Sequence, residues 1–170
     1  MKDPDYYIAA RAWEPLAALP QAWGHWQEGW GFFKRLDLKN ATSLERPNEP
    51  IEVDVEFHTR QVSDLAREIR VVEVETDNGP LREIPSQVYG DEAEDETRRC
   101  RLFFIAALRP EQTKTYLIFY GNPAAPEPGY ETDLKATGEE YALDVENRYY
   151  RIELAKSMGQ LKNIAFKEGS

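Results

Sequence analysis

His58 and Arg60 are the residues whose types and spacing come nearest to acid–base chemistry in this chain. An imidazole can take a proton from carbon, and a guanidinium can hold a carboxylate beside it. The pair therefore has the two parts that elimination from a uronate needs. Its plainer reading is a polar strand end, because the sequence near it supplies no third partner. Trp23, His25, Trp26 and Trp30 form the second constellation. Indole faces stack on the C–H faces of pyranose rings, so these residues are read as a carbohydrate-binding platform. The plainer reading is that the indoles pack onto the domain behind them. Arg98, Arg99 and Arg101 are a third group; they could fork onto a uronate carboxylate or offset the acidic run Asp91–Glu96 beside them.

The remaining inventory narrows the chemistry. With two histidines and one cysteine, Cys100, the chain offers no compact transition-metal set, so neither a metal nor a cofactor is expected. The net charge of −10 argues against duplex nucleic acid or an anionic membrane as partner. Carboxylates are too numerous to pair for glycoside hydrolysis by sequence alone, since that chemistry depends on separation in space. No run approaches the ~20 apolar residues of a membrane helix. The polar start, residues 1–5, carries no secretory signal. A cytoplasmic location is expected, or a periplasmic or secreted one if a signal has been removed.

These residues sit in a chain of 170 residues, 41% hydrophobic and 12% aromatic, enough to build a real core. The strongest strand signal is Tyr116–Tyr120, a continuous apolar and aromatic run stopped by Gly121-Asn122-Pro123. Arg101–Leu108 precedes it across Arg109–Gln112, and the two read as a central hairpin. Ile51–His58 alternates strictly, with Ile51, Val53, Val55 and Phe57 toward a core and Glu52, Asp54, Glu56 and His58 away from it. Glu68–Glu75 is a further strand. Pro85 marks its segment, Leu81–Tyr89, as an edge or a bulge. Gln61–Arg67 reads as a loop or a single helical turn, and Arg46–Pro50 as a stiff connector. Asn40-Ala41-Thr42 matches a glycosylation acceptor and is read as a polar turn.

Residues 1–31 stand apart. All four tryptophans lie there, divided by prolines, with a short helix possible over Ile8–Leu19. The predicted organisation is thus a Trp-rich arm (1–31), an antiparallel β domain (32–125), a proline-rich linker (126–140) and the start of a second β-sandwich (141–170). The fold class is mainly β: an antiparallel β-sandwich or partly closed barrel, followed by the opening strands of a second sandwich unit. The strand pattern completed at Lys167 reads as a piece of a longer chain.

Several phrases occur together in order: Arg46-Pro47-Asn48-Glu49-Pro50 before a strand, Ile84-Pro85-Ser86-Gln87-Val88, Tyr120-Gly121-Asn122-Pro123, and Val145–Tyr150 followed by Gly159–Ile164. This succession resembles the N-terminal β regions of multidomain carbohydrate-active enzymes, namely exo-rhamnogalacturonan-lyase-like proteins and the β-supersandwich parts of α-mannosidase-like glycosidases. The resemblance covers about residues 33–168. It implies a module that supports a downstream catalytic domain of the same protein, or helps that domain position polysaccharide. None of the shared phrases is a catalytic signature. The alternatives are a structural scaffold without ligand and a domain that lends His58 and Arg60 to a lyase site.

Overall fold

The computed structural model describes the backbone of residues 6–15 and, in full, residues 19, 23, 26, 28–75, 80–140, 142–155 and 159–167. The described residues are mainly β, arranged in antiparallel sheets, none closed into a barrel, consistent with a β-sandwich. The chain divides into two compact units, Met1–Pro128 and Gly129–Ser170.

The first unit contains a five-stranded and a three-stranded sheet. The larger sheet runs β1 (Tyr6–Pro15), β2 (Phe32–Asn40), β8 (Thr113–Tyr120), β4 (Arg70–Val74), β5 (Leu81–Ile84). The smaller runs β3 (Arg46–His58), β7 (Thr97–Leu108), β6 (Ser86–Glu94). Ile51, Val53, Val55 and Phe57 of β3 are buried, as their alternation predicts. They meet Leu102, Phe104, Leu36, Ile118 and Tyr120 in one core cluster. Pro85 lies between β5 and β6, where the chain passes from the edge of one sheet to the edge of the other, so its missing N–H interrupts no central ladder. A single turn, α1 (Leu65–Glu68), begins at Asp64, whose carboxylate accepts from the Ala66 and Arg67 amides.

Three expectations are corrected. First, β7 and β8 are not paired: β8 lies between β2 and β4, while β7 lies between β3 and β6. Their burial patterns explain it. Every residue from Tyr116 to Tyr120 is buried, which requires cover on both faces of the sheet, whereas β7 alternates and keeps one wet face. Arg109–Gln112 is therefore an arch between sheets. Second, residues 6–15 are a strand on β2, not a helix; its register shifts between Ala10 and Trp13. Third, β3 begins at Arg46, so the proline-containing connector belongs to an edge strand with a bulge between Arg46 and Glu49.

The second unit is a four-stranded meander: β9 (Lys135–Glu139), β10 (Ala142–Glu146), β11 (Tyr150–Leu154) and β12 (Leu161–Phe166). Strand β9 forms within the stretch read as linker. The Asn147 side chain accepts from the Tyr149 and Tyr150 amides and so closes the β10–β11 turn. No described residue of this unit is buried.

Candidate functional site

His58 ends β3 beside the β6–β7 hairpin. Its Nδ1 accepts the Arg60 amide hydrogen at 3.2 Å, and its Nε2 lies 3.5 Å from the Glu96 carboxylate. The Arg60 guanidinium reaches the other Glu96 oxygen at 3.7 Å. The structure therefore brings His58 and Arg60 together and adds a carboxylate that sequence spacing did not reveal. Arg60 and Glu96 are largely exposed, and none of the three lines a described cleft. With one imidazole nitrogen committed to a backbone amide and the other facing Glu96, the group is arranged as a turn clasp. An enclosed site for proton abstraction would exclude water and aim a free nitrogen at substrate.

Trp23, Trp26 and Trp30 also come together, on the face of the larger sheet opposite the smaller one. Trp23 is buried, while Trp26 and Trp30 are half-buried against Phe119, Leu117, Phe33, Val72 and Val74. Trp26 stacks on Phe119 with centroids 5.2 Å apart and planes at 22°; Trp30 is 6.2 Å from the same ring. The Arg70 guanidinium lies over Trp30 at 5.8 Å and is itself anchored to the Arg67, Ile69 and Pro126 carbonyls. One face of Trp26 is thus committed to protein. His25 lies outside the described residues. Arg98, Arg99 and Arg101 pair with Asp91, Glu56 and Asp54, so their forks serve the β sheet and its hairpin. The acidic run is strand β6 up to Glu94 and turns at Asp95, whose φ is 53°. The Arg98 guanidinium beside Asp91 holds that carboxyl below its ordinary range.

A further site lies at one end of the sandwich. Glu45, Glu73, Glu75, Arg109, Gln112 and Lys114 line a cleft of about 430 Å³, together with the exposed Ala107 and the buried Leu108. Glu73 sits in an all-buried strand and is 7% exposed. Lys114 Nζ lies 2.5 Å from one of its oxygens and Arg82 Nη2 lies 2.6 Å from the other, so a carboxylate that burial alone would penalise is doubly paired. Tyr116 faces Glu73 across the β4–β8 ladder. Its hydroxyl is buried and finds no hydrogen-bond partner. Burial first, and the charge of Glu73 second, push that phenol far up.

The mouth of the cleft is fixed by backbone and side-chain hydrogen bonds. The fully buried Asn40 donates to the Leu44 and Arg109 carbonyls and accepts from the Thr42 amide and hydroxyl. The Asn40 amide bonds the Gln112 carbonyl, and the Glu111 amide bonds that of Thr42. Gln112 Oε1 accepts the Arg109 amide hydrogen at 2.9 Å. Two loops far apart in sequence are thereby tied together. Sequence reading missed this cleft. The legible signal was Glu73, a lone carboxylate within Val71-Val72-Glu73-Val74.

Among the described residues there is no cluster of histidine, cysteine, aspartate and glutamate able to hold a metal ion. No described helix is long and apolar enough to cross a membrane. In the second unit, a concavity of about 600 Å³ lies on a face laced by the Asp144–Arg151 and Lys162–Glu153 pairs and has no buried wall. Comparison with protein-family models, curated proteins and solved structures returns no match.

Proposed function

We propose that this chain is a non-catalytic β-sandwich module of a larger carbohydrate-active protein, where it supports the catalytic domain or helps position polysaccharide. The carbohydrate assignment rests on the sequence phrases at residues 46–50, 84–88, 120–123 and 145–164. The non-catalytic assignment rests on one geometric observation: His58, Arg60 and Glu96 satisfy one another at an exposed turn. A residue that abstracts a proton from a sugar needs a nitrogen free to meet it.

The test is turnover by the intact protein carrying His58→Ala. Unchanged turnover supports the non-catalytic module; turnover lost from a folded variant would transfer His58 to the active site. Affinity-gel electrophoresis on neutral and pectic polysaccharides tests the positioning role.

A second reading is a structural scaffold without ligand, and the aromatic layer favours it. Trp23 is buried and Trp26 is stacked on Phe119, so these indoles already cover the sheet. No retention on any gel by the folded chain would select this reading.

A further inference from the structure

We infer that the sugar-contacting site of this module is the cleft bounded by Glu73, Lys114, Arg109 and Gln112, and that its ligand is a short neutral saccharide. The inference rests on the carbohydrate reading above and relocates its contact surface away from the tryptophans.

Size and wall come first. At about 430 Å³ the cleft falls within the range of small-molecule sites, and it combines a small apolar patch at Ala107 with a rim of polar groups. A sugar ring has the matching pair of surfaces: C–H groups on its faces and hydroxyls around its edge.

Charge then selects among saccharides. The cleft carries three carboxylates, Glu45, Glu73 and Glu75, against Arg109 and Lys114. Arg82 adds a third cation through its pairs with Glu73 and Glu75. The formal sum is zero, so the cleft has no net field to concentrate an ion of either sign. Donors and acceptors nevertheless lie side by side along it. A hydroxyl gives one hydrogen bond and accepts others at the same atom, so it can bridge an ammonium and a carboxylate together. A uronate would meet carboxylates as well as cations, and an amine cations as well as carboxylates, so neither gains a net partner.

Order comes last. The Asn40 and Gln112 hydrogen bonds fix the two loops that carry Glu45 and Arg109, so a ligand need not order them.

The experiment is a ¹H–¹⁵N NMR titration of the chain with cellotriose, mannotriose and xylotriose, alongside trigalacturonate, at low and high salt. The expected result is amide shifts at Glu73, Arg109, Gln112 and Lys114 with a neutral trisaccharide, independent of salt. Arg109→Ala and Glu45→Ala, both on exposed rim residues, are each expected to weaken binding about tenfold with the spectrum otherwise preserved. Shifts confined to the indole N–H resonances would overturn the cleft assignment while sustaining a sugar-binding module. Binding of trigalacturonate alone, steeply weakened by salt, would overturn the neutral ligand. Silence with every saccharide would overturn both the cleft and the positioning role.

Discussion

The two faces of the five-stranded sheet are covered by different means. On the inner face Leu36, Leu38, Val71, Tyr116, Ile118 and Tyr120 meet the regular alternation of the smaller sheet. On the outer face Phe33, Val72, Val74, Leu117 and Phe119 are covered by Leu19, Trp23, Trp26 and Trp30. A sheet covers another sheet residue by residue, so its pattern repeats every second position. On the outer face a few large side chains cover the strands instead, and indole is the largest available. The difference shows that the two faces of one sheet can be buried by side chains of very different number and size.

The sharpest way to break that comparison is to remove one ring from each face. Phe119→Ala is expected to cost about 3–5 kcal/mol and to shift tryptophan emission to the red, because Trp26 and Trp30 both lean on that ring. Phe104→Ala, in the inner core, is expected to cost a similar amount with emission unchanged in the folded protein. Equal emission changes in denaturant titrations of the two variants would dissolve the distinction.

Next in size is an alkaline effect specific to the inner face. Burial pushes the Cys100 thiol up to about 11. The unfolded chain releases that proton from about pH 9, so between about 9 and 11 the unfolded state binds fewer protons and stability falls as pH rises. The share due to Cys100 is expected to be about 2–3 kcal/mol across that window, read from urea midpoints. Cys100→Ala should flatten the loss, leaving the part due to Tyr116 and Tyr120, whose phenols burial also raises. A variant with an undiminished slope would show that Cys100 is not its source.

A smaller change should follow from Tyr120→Phe. The Tyr120 hydroxyl is buried without a partner, so its removal is expected to leave stability unchanged or raise it by about 0.5–1 kcal/mol. A clear loss on thermal melting would mean that the hydroxyl has a partner after all. The smallest effect is expected on the wet side of the smaller sheet. Glu56→Gln breaks the exposed pair with Arg99 and should not move the melting temperature measurably.

Strand positions were legible where burial follows a simple period. Ile51–Phe57 declares one wet and one dry face, and Tyr116–Tyr120 declares that both faces are covered. Partners were not legible. Arg109–Gln112 has the composition of a hairpin turn, yet it crosses between sheets, and only the contrast between one-sided and two-sided burial tells these cases apart. The cleft was hidden for a related reason. Glu73, Arg109 and Lys114 meet through β4–β8 pairing and through loops joined by Asn40, and none of these contacts leaves a trace in local spacing. The grouping of Trp23, Trp26 and Trp30 was visible, but whether their faces point outward depends on Phe119, more than eighty residues away.

Asn40 bears on how the protein is best produced. Its amide nitrogen gives both hydrogens to carbonyls and is sealed from solvent, yet it heads the tripeptide Asn40-Ala41-Thr42. In a eukaryotic secretory pathway, oligosaccharyl transfer to the emerging chain would compete with closure of these loops. A glycan attached there would displace the donor that joins residues 40–44 to the β7–β8 arch, and the folded form could not accommodate it. A bacterial host, or Thr42→Val with Asn40 retained, removes that competition. Of the two, only the bacterial host also keeps the Thr42 hydroxyl that donates to Asn40.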